Sequence, residues 1–495
     1  MRSTASRLGW WALMALLTVL GGTPSAEAQG LYYKEIRRDE RIYVFNNAEE
    51  AARFEASGEM GRGITRPGTG PNGETVVGDS ERALQLFYFK HNISEAVPEP
   101  IPPLQRIEWR DGKTRISTDF AYLEISNRVQ VRYTQEFPDD LSPILPGTGA
   151  AGDSRGSFRI RRAKFKLEGW FWMPPEVAPW LPPGAAPSPR IMPKLSYEVQ
   201  LNWAAVSANV GAQPANVGAI LEDASIAWDP QGMGKFRIVF GQYKVPFGRQ
   251  QMISSGNQQF VDRSLVSEEY LRGRDIGVSV QGAVWNNKIE YRAGMFNGNG
   301  LTRPSNDNDK FQYNARLMWQ PNGNQVLAQR AWVSGALYSE ADFESTTTAL
   351  YAFGLNFESN NFHRTTTGDD LKSNAVGIDG VYKFKGFSTT GEYFYRKRTP
   401  ETAPKFDSNG GYLQAGMMLN KFRTWEAALR YGERELSDRI ANDKIKEIRG
   451  GINYYYRRHT LKFQMDFGQV ETGLGATNSN KRKDYELRLQ SQFIF

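Results

Sequence analysis

The chain has no cysteine among its 495 residues and only three histidines, His91, His363 and His459, far apart in sequence. The first absence removes disulfides, thiolate metal sites and thiol chemistry. The second leaves a histidine-based metal centre or catalytic triad little to build on. Long hydrophobic runs are also missing. Mean hydropathy is −0.54, and the uncharged stretch Gly9 to Leu20 is too short to span a bilayer as a helix. A helical inner-membrane transporter is thereby excluded.

That apolar stretch follows Arg2 and Arg7 and precedes Ala26-Glu27-Ala28, the layout of a secretory signal with a small-x-small cleavage site. Residues 1–28 are expected to be removed and the mature protein to begin near Gln29. Losing two arginines and one glutamate lowers the formal charge from +7 to +6. With 13% aromatics and 48 glycines, the chain has the ingredients of many strands and turns. Without cysteine, its stability must come from strand pairing.

The twelve residues from Asp484 to Phe495 read as one alternating strand. Tyr485, Leu487, Leu489, Phe493 and Phe495 lie on one parity, and Glu486, Arg488, Gln490 and Gln492 on the other. A final strand closing on an aromatic is the pattern of a bacterial outer-membrane barrel. From about Ala121 onward, segments of ten to sixteen residues repeat this dyad: Leu123 to Phe137, Leu195 to Trp203, Ile289 to Met295, Phe311 to Trp319, Trp425 to Tyr431 and Leu461 to Phe467. One face suits lipid and the other water.

Residues 29–110 read differently. Ala48 to Met60 has helical character, Arg62 to Asp79 is rich in glycine, proline and threonine, and Val97 to Leu104 carries four prolines. They are expected to form an N-terminal periplasmic or plug-like extension, the plainer alternative being a flexible leader with one short helix. The barrel is expected over residues 121–495.

Strand candidates number seventeen, an odd count for a single-chain bacterial barrel, and turn length arbitrates because periplasmic turns are short and external loops long. Short links at Arg457-Arg458-His459, Asn420-Lys421 and Lys385-Gly386 alternate with long ones near 470–484, 435–445 and 398–410. From the other end the short links are Asp229 to Gly234, Asn286-Asn287 and the turn opened by Pro321-Asn322-Gly323-Asn324. The two series agree if Leu350 to Phe357 belongs to a long external loop. Sixteen antiparallel strands then remain, with both barrel ends periplasmic. The long, proline-rich link from Pro174 to Pro193 fits poorly on that side. A sixteen-stranded barrel encloses an aqueous channel, and Val245 to Gly273 becomes its third external loop.

That loop follows Gly241-Gln242-Tyr243-Lys244-Val245-Pro246-Phe247-Gly248 and contains Phe260-Val261-Asp262-Arg263-Ser264-Leu265. It returns through Gly273-Arg274-Asp275-Ile276-Gly277-Val278 towards Gly294-Met295-Phe296-Asn297-Gly298. These blocks, with Arg161-Arg162-Ala163, resemble the phosphate-selective porin O/P family over roughly Ala121 to Phe495. The resemblance implies a trimeric, sixteen-stranded porin of a Gram-negative outer membrane whose third loop folds into the lumen. Outer-membrane lipid and small anions such as phosphate are then the expected partners, with no nucleic acid.

Anion passage through a narrow barrel calls for Arg and Lys to replace lost hydration, with several moderate contacts serving transport better than one tight site. The loop offers Arg249, Arg263, Arg272 and Arg274. The luminal parity offers Arg128, Arg132, Arg162, Lys164, Lys166, Arg237, Arg292, Arg316, Lys383, Arg396, Arg430 and Arg434, of which Arg162, Lys164 and Lys166 form the densest run. Arg263 and Arg274 have an alternative role as loop-fixing partners of Asp262 and Asp275. Asp223, Glu290, Asp379, Glu392, Glu426 and Asp466 share the luminal parities, so the wall is mixed.

The reading is a passive diffusion channel preferring small anions, phosphate or polyphosphate among them, with no catalytic cycle, cofactor or metal. The alternative is a general or differently selective porin for small hydrophilic solutes, with Tyr243 and Tyr270 as a sugar track in one version. An outer-membrane hydrolase finds no histidine beside a candidate serine on a strand face. A structural or adhesive barrel would use the loops at 138–156, 340–373 and 398–410.

Overall fold

The structure is a computed structural model describing residues 32–61, 63–91, 93, 105–118, 121–140, 153–172, 194–204, 219–231, 234–301, 303, 305–321, 336–343, 348–364, 367–475 and 480–495. The expected signal segment lies outside these residues. The chain divides into two compact units at Pro102/Pro103.

The first unit is a small α/β domain. A hairpin of β1 (Lys34–Arg38) and β2 (Arg41–Phe45) leads to helix α1 (Ala48–Ser57), then β3 (Ile64–Arg66), β4 (Thr75–Gly78) and helix α2 (Glu81–Lys90). The sheet order is β1-β2-β4-β3, with β2 and β4 parallel. Strand alternation on β2 separates two small cores. Ile42 and Val44 pack with Leu84 and Phe87 of α2, while Phe45 packs with Ala51 and Phe54 of α1. Asn47 and Ser80 cap the two helices by accepting from the Glu49 and Ala83 amides respectively. The helix read at Ala48 to Met60 is therefore α1, and α2 was not read at all.

The second unit is the barrel. Strands β5 (Gln105–Arg110) and β6 (Lys113–Thr118) form a hairpin ahead of sixteen barrel strands, β7 (Ala121–Phe137), β8 (Arg155–Trp172), β9 (Lys194–Asn202), β10 (Ile220–Asp229), β11 (Arg237–Lys244), β12 (Arg274–Val284), β13 (Ile289–Phe296) and β14 (Gln312–Trp319) being the first eight. The rest are β15 (Leu350–Arg364), β16 (Asp369–Phe384), β17 (Phe387–Pro400), β18 (Phe406–Met418), β19 (Trp425–Glu435), β20 (Ile445–Arg457), β21 (Leu461–Gly473) and β22 (Lys481–Ile494). Each pairs antiparallel with the next, and β22 closes on β7 with Gln490 opposite Arg132 and Ile494 opposite Arg128. Closure satisfies every strand edge, which a bilayer demands. The outer face is apolar, as Phe353, Leu355 and Phe357 of β15 show, while Asn356 and Glu358 on the alternate positions are buried inside.

On β7, residues Tyr122 to Ser126 pair with β6, and the edge then passes to β22 from Asn127 upward. The hairpin thus completes the foot of the seam.

The sixteen-strand count stands, but its composition differs from the sequence reading. Leu350 to Phe357 is wall rather than loop, since β15 and β16 pair along their whole length and turn at 365–368. The link from β14 to β15 runs over 320–349, so Pro321 to Asn324 opens a long connection instead of a short turn. It emerges on the side of the tight turns, as does the link 173–193, whose residues lie outside those described. Three external links expected to be long shrink to 401–405, 436–444 and 474–480 because their strands extend further. The Lys385-Gly386 turn holds: φ is positive at both residues, 48° and 88°, as a two-residue hairpin requires.

Candidate functional site

The connection from β11 to β12 folds inward, carrying the one-turn helix α3 (Arg249–Met252) and the short helix α4 (Leu265–Tyr270). Wall carboxylates replace water as partners for its backbone. Glu392 of β17 accepts from the Arg249 and Gln250 amides at the start of α3, and Asp466 of β21 accepts from the Val261 amide at 3.0 Å. Glycines on the inner wall let the loop lie close. A Cβ on Gly416 would stand 2.1 Å from Nε2 of Gln259, and one on Gly451 3.2 Å from the Phe260 ring.

A second segment enters the lumen from the periplasmic side. Residues 336–343, in the β14–β15 link, pass beneath the loop. Leu337 O accepts from Arg249 at 2.7 Å, and the Tyr338 hydroxyl donates to Glu290 of β13 at 2.7 Å. Glu340 accepts from Gln250 Nε2 at 2.9 Å and from the Gln259 amide at 2.7 Å. Ala341 O takes Lys383 Nζ at 2.8 Å, Asp342 takes the Gly386 amide at 2.7 Å, and Phe343 packs edge-on against Tyr455 and His459. Where loop, segment and wall meet, Met252, Ile253, Leu337, Tyr338, Met318, Ala352 and Val381 form a buried apolar cluster. This part of the lumen is dry.

Part of the remaining wall, on β7 and β8, has a different electrostatic character. Asp262 of the loop accepts from Arg132 at 2.6 Å and also lies 3.4 Å from both Arg161 and Arg488. Burial alone would raise the carboxyl pKa of Asp262, but Arg132 and Arg488 hold it well below the usual range. Among the described residues, Arg128 donates to the Ser254 and Ser255 hydroxyls and Arg162 to Gln130. Arg159, opposite Arg132 on the inner face, is exposed. Among the described residues, none of Arg128, Arg159 and Arg162 meets a carboxylate within ion-pair distance.

The other expected contacts sort by their partners. Arg249 is fully buried against Asp379, shared with Arg316, and so anchors the loop. Arg272 binds Glu358 at 2.7 Å. Arg274 forks onto Asp223 at 2.9 and 2.8 Å, and Arg263 donates to Gln250 O at 3.1 Å with Glu268 3.6 Å away. Neither is fixed by Asp262 or Asp275 as the alternative reading had it; Asp275 instead accepts from the Gly298 amide at 2.7 Å. On the wall, Lys164 pairs with Glu222, Lys166 lies between Glu168 and Glu198, Arg292 pairs with Glu290 and Arg430 with Glu447. Arg237 donates to Gln281 at 3.1 Å. Arg396 reaches the carbonyls of Glu269 and Tyr270, and Arg434 that of Leu265.

A family model described as phosphate-selective porin O and P matches residues 144–495. The chain belongs to this family. No curated protein matches the porin. Among solved structures, the outer-membrane channel DcaP of Acinetobacter baumannii aligns at 10% identity and a TM-score of 0.50, covering 77% of this chain and 99% of that one. An anion-selective porin from Comamonas acidovorans aligns at 11% identity and a TM-score of 0.48, covering 75% and 100%. Salmonella typhi OmpF in complex with daunomycin gives 12% and 0.47, covering 78% and 100%. At these identities the likeness concerns the fold. The protein is an outer-membrane channel of a Gram-negative bacterium, and porins of this kind are not typically enzymes.

Two residues of the porin's cationic wall escaped the sequence reading. A bulge in β8, between the pairs Val131–Ile160 and Gln130–Arg162, inserts Arg161 and reverses parity across it. Arg159 and Arg162 both face inward despite opposite parity, and Arg161 reaches Asp262 as well. The run Arg159-Ile160-Arg161-Arg162 was the available signal. Tyr270, by contrast, is fully buried, stacked on Phe394 beneath Arg396, and offers no sugar track. His459 does meet a serine, Ser339 at 3.0 Å, because the inserted segment carries it there. Among the described residues its Nδ1 has no hydrogen-bond partner, so none of them orients the ring as a general base.

Proposed function

We propose that this porin is a passive diffusion channel preferring small anions, phosphate or polyphosphate among them, and that it assembles as a homotrimer. Support comes first from Arg128, Arg159 and Arg162, which among the described residues meet no carboxylate within ion-pair distance, beside Arg132 and Arg161, which share Asp262. An anion entering this sector exchanges water for guanidinium donors. Arg159 and Arg161 are the accessible contacts, while Arg128 and Arg162 sustain the positive potential behind them.

The competing reading, a general porin for small hydrophilic solutes, is favoured by the paired wall elsewhere: Arg316 with Asp379, Arg449 with Asp466 and Arg292 with Glu290. Zero-current potential in a planar bilayer under a KCl gradient separates the two. A chloride-favouring potential, reduced in current by added phosphate, is expected. A neutral or potassium-favouring potential without block would overturn anion preference in favour of the general porin.

A further inference from the structure

The sequence reading put residues 340–343 in an external loop at 340–373; the structure instead brings the segment 336–343 in from the periplasmic side, against Lys383 and the Gly386 turn, and it does more than fill space. It crosses the periplasmic half of the lumen from Glu290 on β13 to Tyr455 on β20. Its carbonyls and carboxylates are taken by Arg249, Lys383 and the loop amides, so it presents few free polar groups to water. Apolar contact with Met252 and Ile253 then seals it to the loop above. Ala352 on the wall beneath is wholly inaccessible, whereas Ser196, on the inner face of β9 across the barrel, remains half-buried. Among the described residues, the lumen is thus filled beside Ala352 and more open beside Ser196.

We infer that residues 336–343 are a second constriction, a strut that closes the β13–β20 side of the lumen from the periplasm. Permeating solute is thereby confined to the β7–β12 side, past Arg159 and Arg161. The strut sets selectivity without touching the solute, because it removes the charge-balanced half of the wall from the path. This rests on the channel reading for its consequence, but the closure itself is a matter of accessibility.

The absence of cysteine makes the test direct. Ser196→Cys and Ala352→Cys are introduced singly into the full chain, and modification by anionic sulfonatoethyl methanethiosulfonate is followed by mass. The thiol at 196 is expected to react at least about tenfold faster than that at 352, since access limits a buried thiol. Exchanging residues 336–343 for a Gly-Ser stretch of equal length should expose the thiol at 352 and raise single-channel conductance. Tyr338→Ala, a milder lesion, should do so in part and serves if the exchanged chain does not fold. Equal rates at the two positions in the intact strut would overturn the inference, as would unchanged protection of position 352 once the strut is altered. A protein that labels as expected but does not conduct would sink the channel reading and leave the closure standing.

Discussion

On the β14–β16 wall, Arg316 and Arg249 converge on Asp379 at the edge of an apolar cluster that excludes water. On the β7–β8 wall, Arg132 and Arg161 share Asp262, and among the described residues Arg159 meets no carboxylate within ion-pair distance. Both walls are rich in arginine, so composition does not distinguish them. Stoichiometry does: a guanidinium matched by its own carboxylate holds the fold together, and one left over remains available to a passing anion. Counting basic residues on a luminal face thus measures scaffold and selectivity together.

The strongest way to break the contrast is Asp379→Ala, which strands two buried guanidiniums. Loss of one partner from such a cluster costs about 3–5 kcal/mol. We expect a lower denaturant midpoint in detergent, together with a larger and noisier conductance as α3 comes free. Arg159→Ser combined with Arg161→Ser should next abolish most of the chloride preference in reversal potential while leaving that midpoint nearly unchanged. Unaltered selectivity would place the anion path elsewhere.

Gly416→Leu drives a side chain into Gln259 and should lift the loop from its seat. Higher single-channel conductance with weaker selectivity is the expected signature. Lys166→Met should shift reversal potential least among the wall lysines and arginines, because Glu168 and Glu198 already neutralise the ammonium. Acidification provides the gentlest test. The depressed carboxyl of Asp262 stabilises the folded loop above its unfolded pKa, and this is lost only as pH falls through the lower folded value. Selectivity should therefore show no step attributable to Asp262 between pH 8 and about 5.

The alternation that separates lipid from lumen was legible because each residue in a barrel strand faces one of two very different solvents. Leu350 to Phe357 failed for a reason outside the strand itself. Pro321-Asn322-Gly323-Asn324 has the chemistry of a tight turn, and accepting it forced the next long connection onto the wrong side. The inserted segment was illegible because its partners, from Glu290 to His459, are supplied by strands distant in sequence. Arg159 and Arg161 were lost to a bulge, which inverts parity without any change in residue type.

The hairpin of β5 and β6 has a bearing on how the cylinder is shut. By occupying Tyr122 to Ser126 of β7, it leaves the last strand only the upper part of that edge to zip along. A slide of β22 towards the periplasm would have to displace Lys113 to Ser117, and a slide of one residue would turn Arg488 and Gln490 outward into lipid. The hairpin acts as an end-stop that bars the final joint from slipping towards the periplasm.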